Sequence, residues 1–361
     1  MPVQLQQNSA GIGPFVPVIV LLFAIGAAAQ SGRIKPEATP TPEPSISTGY
    51  RPTRTGAEPT PKPTPEPKQT DEVVRVSSML VPIPVSVFDS RGRAVTTLKK
   101  SDLEVRVDGK AVEIDEVFRS RSPIRLAMLY DNSSSILAAR DFERDAAVRF
   151  FTRVLRPEID QAALFSVADY TRLSQPLTAN TTLLTHAINA FPPPAGATAL
   201  LDGIIEAAEY LKAYSGRRVI VIVSDGEDTY SELSTTLEGV VKTLQQTNCQ
   251  VYVVKTKDFE NFKRTGSREG NANIRSLTAE RRMIEIAEQT GGAVFSPIDE
   301  REMNEAFDDI SASLSQQYIL AYYPDDTAAE AGAFREITVK VNGRSGLTVR
   351  TRKGYYVPKR P

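Results

Sequence analysis

The sequence predicts an α/β protein: a mostly parallel central sheet with helices on both faces, inserted in a small β-sandwich formed by the N- and C-terminal flanking strands. Three observations carry this expectation. Between 124 and 314, short apolar runs alternate with amphipathic segments of helix length. One of those runs, RVIVIV at 218–223, is continuously β-branched, as a strand buried on both faces must be. The flanking segments, 72–120 and 317–361, switch to a period of two.

Each element has its own signal. Val81, Ile83, Val85 and Val87 alternate with Pro82, Pro84 and Ser86, and prolines on one side of a strand predict an edge. Asp89-Ser90-Arg91-Gly92 is a turn. Leu103, Val105 and Val107 alternate again, and Asp108-Gly109 predicts a hairpin into Val112 and Ile114. A strand follows over 126–130, then a helix over 141–155 with Phe142, Ala146, Phe150 and Val154 on one face. The pattern continues as strand 162–167, helices 182–191 and 199–214, strand 218–223, helix 237–246 and strand 250–254. A helix over 280–290, closed by Gly291-Gly292, leads to strand 293–295 and a last helix over 302–314. Between them, the polar and glycine-containing stretch 259–276 reads as a mobile insertion. Strands return at 318–323, at Ile337/Val339/Val341 and at Leu347/Val349, with Asn342-Gly343 and Ser345-Gly346 as turns. Neither flank alone can bury both faces of a sheet, so the two should form one sandwich around the α/β domain of 121–316.

Ahead of these lies a different kind of chain. Residues 15–29 are almost wholly apolar and end in Ala27-Ala28-Ala29-Gln30, the pattern of a signal-peptide core with a small-residue cleavage site. The alternative is an uncleaved N-terminal membrane anchor, with Arg33 and Lys35 just beyond it. Residues 36–67 contain ten prolines and read as an extended spacer within the linker 30–71.

Composition excludes several chemistries. With 43 Lys and Arg against 44 Asp and Glu, the net charge of −1 argues against nucleic-acid binding. A single Cys, Cys249, makes no internal disulfide and no Cys₄ zinc site, and a single His, His186, rules out His₃ zinc. Cys249 reads as a buried apolar residue and His186 as surface or packing. Paired Tyr322-Tyr323 and Tyr355-Tyr356 read as sandwich core and edge.

What remains is oxygen chemistry. Ligands of open α/β sheets bind beyond the carboxyl ends of the strands. There the sequence places Asp131-Asn132-Ser133-Ser134-Ser135, then Gly196-Ala197-Thr198-Ala199, then Asp225-Gly226-Glu227-Asp228. These loops offer two acids, Asp131 and Asp225, and three hydroxyls, Ser133, Ser135 and Thr198. An all-oxygen set suits Mg²⁺ first, with Mn²⁺ or Ca²⁺ as alternatives. The plainer reading is that Asp131 and the serines cap the first helix.

This arrangement resembles the metal-ion-dependent adhesion site of Rossmann-like von Willebrand factor type A domains: an Asp-x-Ser-x-Ser loop, a Thr, and a later Asp after an apolar strand. The matching residues are Asp131, Ser133, Ser135, Thr198 and Asp225. The flanking segments 85–110 and 335–356, the latter ending RKGYY, resemble a bacterial subfamily of such proteins common in Acidobacteria. Ser134 and Ala197 stand where glycines are frequent, and neither change removes a ligand oxygen. The resemblance implies a cation with one open position, filled by an Asp or Glu carboxylate of a protein partner. It implies a non-enzymatic, exported interaction or adhesion module, periplasmic, secreted or anchored outside the cytoplasm. Glu227 and Asp228 are expected at the rim, adding negative potential, so that the partner's acid should be isolated or flanked by Lys or Arg. The basic stretch 263–268 is a candidate second contact. Two alternatives stand beside this: a metal-stabilised scaffold, and a Mg²⁺-dependent phosphotransfer or hydrolase enzyme, against which speaks the absence of a phosphate-binding glycine loop or a Ser-His-Asp set.

Overall fold

The computed structural model describes residues 80–134, 140–267, 273–324 and 331–357. The apolar N-terminal segment and the proline-rich spacer lie outside the described residues, and Ser135 does as well.

The chain opens with β1 (Val81–Phe88), β2 (Leu103–Val107), β3 (Lys110–Val112) and β4 (Glu116–Arg119). The α/β part follows as β5 (Ile124–Asp131), α1 (Arg140–Val154), β6 (Gln161–Val167), β7 (Thr171–Thr178), α2 (Thr181–Asn189), α3 (Leu200–Lys212) and β8 (Arg217–Ser224). It continues as α4 (Leu237–Gln246), β9 (Cys249–Lys255), α5 (Lys257–Thr265), α6 (Ile274–Thr290), β10 (Ala293–Phe295) and α7 (Glu300–Ser315). The close is β11 (Tyr318–Tyr322), β12 (Phe334–Val341), β13 (Thr348–Thr351) and β14 (Gly354–Tyr356).

The central sheet has the order β10-β9-β8-β5-β6-β7 and is parallel except for the β6–β7 pair. Strand alternation divides its side chains between two cores. Leu126, Met128 and Tyr130 of β5 and Val219, Val221 and Val223 of β8 face α1, α2 and α7, while Ala127, Leu129, Ile220 and Ile222 face α3, α4 and α6. Both strands are therefore buried on both sides, as RVIVIV requires.

The flanks make two further four-stranded sheets, β13-β1-β11-β4 and β14-β12-β2-β3, each drawing strands from both ends of the described chain. They share one apolar core, in which Ile83 and Val85 meet Leu103, Val105, Leu320, Tyr322 and Ile337. Tyr322 and Tyr355 are buried there with their hydroxyls 2.6 Å apart, whereas Tyr323 is exposed.

Three expectations need correction. β1 is an interior strand, not an edge. β13 joins it only from Val85 onward, so Pro82 and Pro84 lie on the stretch with β11 as its one neighbour. The carbonyls of Pro82 and Pro84 accept instead from the side chains of Arg352 and Thr351. The described part of the predicted insertion 259–276, 259–267 and 273–276, is largely helix. α5 exists because Phe259 is fully buried against Phe142, 5.4 Å between ring centroids, while its charged residues lie around that anchor. Gly266, at φ +70°, ends it. Finally, β7 is a strand that the apolar pattern did not announce. It is an antiparallel sheet edge, half-polar, and only Leu173 and Leu177 pack inward.

Candidate functional site

β5 and β8 are neighbours in the sheet, and their carboxyl ends deliver Asp131 and Asp225 to the same edge. Asp131 is 1% exposed. Its Oδ1 accepts from the Ser133 N–H at 2.9 Å, and its Oδ2 accepts from the Ser224 hydroxyl at 2.6 Å. Burial first, and the nearby Asp225 second, push its pKa up to about 6 despite those donors. Asp225, Ser133 and Thr198 are buried with it.

The loops that carry these groups are tied to one another. Ser134 donates through its N–H and its hydroxyl to the Gly196 carbonyl, at 3.3 and 3.0 Å. The Thr198 carbonyl accepts from the N–H groups of Thr229 and Tyr230, and the Thr198 N–H donates to the Thr229 hydroxyl at 3.0 Å. Gly196 has φ +81°, and a Cβ there would stand 2.6 Å from an Asp169 oxygen, so only glycine makes this turn. Gly226 after Asp225 also has a positive φ, +82°, and its N–H donates to the Ser224 hydroxyl at 3.0 Å.

Of the expected ligands, Asp131, Ser133, Thr198 and Asp225 are thus placed in three interlocked loops at one sheet edge, and Ser135 lies outside the described residues. Among the described residues, no three His, Cys, Asp or Glu side chains converge as a metal cage. The donor set is two acids with hydroxyls. Asp225 raises the pKa of its buried neighbour Asp131, so the two acids together concentrate negative charge at this spot, and a hard divalent cation fits it.

The rim differs from expectation. Glu227 pairs with Lys257 at 3.1 Å. Asp228 takes the place of a capping residue for α3, accepting from the N–H groups of Leu200 and Leu201 at 2.9 and 3.2 Å, with Arg282 3.9 Å away. Ala199, the residue before α3, has no side chain able to cap it. Both rim acids are therefore balanced and do not project the negative field anticipated. Lys263 of the basic stretch is engaged as well, with Glu300 and over the rings of Phe142 and Phe259.

Ser224 and Lys257 went unrecognised in the sequence. A hydroxyl closing a fully buried strand was the signal for Ser224, since a buried hydroxyl needs a partner. His186 lines a cavity of about 500 Å³ beside the first loop, together with Asn132, Tyr170, Arg172 and Phe191. Cys249 is buried, and burial raises its pKa to about 11.

Residues 126–227 match the von Willebrand factor type A domain family. The matched stretch runs from within β5 to just beyond β8 and takes in the three loops described above. No curated protein matches it in sequence. Among solved structures, a von Willebrand factor type A protein from Catenulispora acidiphila is similar over 79% of this chain and 76% of that one, at 10% identity and TM-score 0.44. An aerotolerance-related membrane protein from Bacteroides fragilis, in a form with multiple mutations to serines, is similar over 53% of this chain and 98% of that one, at 20% identity and TM-score 0.40. The PilB minor pilin from Streptococcus sanguinis is similar over 55% of this chain, at 14% identity and TM-score 0.41. The match spans 63% of that pilin, less than two thirds of its length. Among the described residues, no helix is long and apolar enough to cross a membrane.

Proposed function

We propose that this protein is a non-enzymatic interaction module. It binds a divalent cation, Mg²⁺ above all, through Asp131, Ser133, Ser135, Thr198 and Asp225, and presents that cation to an Asp or Glu carboxylate of a partner protein. The observation that carries the reading is the pair of buried acids, Asp131 and Asp225, at adjacent strand ends with hydroxyls beside them. Few direct charges leave the ion electrophilic and receptive to an outside carboxylate. The cavity beside the first loop has room for partner side chains flanking that acid.

The scaffold alternative is less well supported. The loops are already joined by protein hydrogen bonds, Ser134 to Gly196 and Thr198 to Thr229, and need no ion to hold them. Export follows from the apolar segment 15–29 and the proline-rich spacer. Fractionation of the producing cell tests it, and a cytoplasmic product with an intact N-terminus would reject it.

Calorimetry with Mg²⁺ tests the site. The wild type should bind and Asp131→Ala should not. Partner capture should then require the cation, and should fail when the partner's acid is changed to Ala. Binding that persists in EDTA would reject cation-mediated recognition. A large loss of melting temperature in EDTA with capture intact would favour the scaffold.

A further inference from the structure

Lys257 opens α5, just beyond the carboxyl end of β9, the strand that pairs with β8. Its Nζ lies 3.1 Å from Glu227 Oε1 and 4.0 Å from Asp225 Oδ2. The Asp225 side chain is 5% exposed and the Lys257 side chain 38%. A positive charge thus already stands against one of the two acids assigned to the cation. The topology put it there, because the strand ends of β5, β8 and β9 share one sheet edge.

We propose, on the reading that a divalent cation is held at Asp131 and Asp225, that Lys257 is a counter-cation built into the site and lowers the affinity of the incoming ion. The physical reason is charge competition. An ammonium and a divalent ion drawing on one carboxylate repel each other, and the repulsion is weakly screened where the acid is buried. Lys257 does not have to lose its partner when the ion arrives. Its flexible four-carbon stem lets the ammonium settle on Glu227, which it already contacts more closely than Asp225. Glu227 is therefore the second seat of the lysine, and its carboxylate serves the site without ligating the ion. The domain keeps its acids partly neutralised when ion is scarce and fills at a threshold that Lys257 sets.

The test is Mg²⁺ calorimetry on the intact chain, with circular dichroism to confirm that each variant is folded. Lys257→Met and Lys257→Gln should bind Mg²⁺ about tenfold more tightly, the size expected when a like charge a few ångströms away is removed. Glu227→Gln should bind more weakly, because Lys257 is then left to Asp225. Lys263→Met removes the same charge from the same helix where Lys263 meets Glu300, and should leave the affinity as it was. Unchanged or weaker binding in both Lys257 variants would overturn the proposal. Equal gains in the Lys257 and Lys263 variants would overturn it too, since the effect would then be one of net charge. If the wild type and every variant take up no Mg²⁺, the assignment of the cation site itself fails and this proposal falls with it. Binding abolished by Asp131→Ala but indifferent to Lys257 would sink only the role of the lysine.

Discussion

Asp131 and Asp160 stand at opposite ends of the β5–β6 pair, and the chain treats their carboxylates in opposite ways. Asp160, just before β6, accepts from the N–H groups of Ile124 and Arg156 at 2.7 and 2.9 Å, and from the Arg156 guanidinium twice at 2.8 Å. Burial works against its ionisation, yet the Arg156 hydrogen bonds and the backbone donors hold its pKa below the usual carboxylate value. Asp131 accepts from the N–H and side chain of Ser133 and from the Ser224 hydroxyl, all of them neutral donors, and has another acid as a neighbour; burial and Asp225 lift it to about 6. A buried acid saturated with donors fastens strands together. A buried acid left short of positive charge is what the proposed cation would answer.

The contrast can be broken at four points. The largest expected effect is complete: Asp131→Ala abolishes Mg²⁺ binding, and Ser133→Ala and Thr198→Ala, each losing a neutral oxygen, weaken it less. Asp160→Ala leaves it unchanged. Mg²⁺ uptake by the Asp131 variant, measured by calorimetry, would erase the distinction.

The second effect is a pH dependence. In EDTA the folded protein holds the Asp131 proton to about pH 6, whereas the unfolded chain releases it near 3.8. Between those values the native state binds more protons, so stability falls as pH rises from about 4 to about 6. The loss is on the order of 3 kcal/mol. Asp131→Asn should lack this fall, and the difference between the two denaturation curves isolates it from other acids. Excess Mg²⁺ should cancel it in the wild type. Parallel curves would show that Asp131 carries no unbalanced charge.

Third, Asp160→Ala should cost about 2 kcal/mol, because it strands the Ile124 N–H and frees Arg156. The lower end of the range applies, since the Arg156 side chain is 42% exposed. Its pH signature has the other sign. The depressed native pKa gives stability that is present above the unfolded value and lost as acid is added through the folded one. An unshifted melting temperature would make Asp160 a bystander. The smallest effect is Ser224→Ala, which removes the 2.6 Å donor from Asp131 and should cost about 1 kcal/mol. Chemical denaturation in EDTA reads it, and a stabilised variant would contradict the bond.

Legibility in the sequence followed the same physics. β5, β8 and the helices on both faces were readable because burial on two sides forces apolar runs and amphipathic periods onto the chain. β7 was not, since an edge strand with Arg172, Ser174 and Pro176 has no such constraint. α5 was hidden because one phenylalanine, Phe259, supplies most of its anchorage among Lys, Asp, Glu and Arg. Asp131, Thr198 and Asp225 could be picked out as residues at predicted strand ends and a helix start, where local sequence is enough. Lys257 and Asp228 could not. Their roles depend on which loops meet, so Asp228 capping a helix that lies earlier in the chain is a fact of topology.

The interleaving of the flanking strands bears on how the protein is made. Val85 of β1 is paired with Tyr318 of β11 and with Thr351 of β13, and β2 is paired with β12. A ribosome adding about 5–20 residues per second finishes β1 well before it reaches those partners; the roughly 230 residues from Phe88 to Tyr318 alone take on the order of 12–46 s. Over that interval the face bearing Ile83, Val85 and Val87 has only the β2–β3 hairpin to pack against, half of its opposing sheet. The central sheet, by contrast, pairs only strands lying between Ile124 and Phe295. It can close on the nascent chain while the sandwich waits. A message truncated before β11 would release a folded α/β core carrying a naked half-sandwich, a product suited to capture by chaperones and proteases.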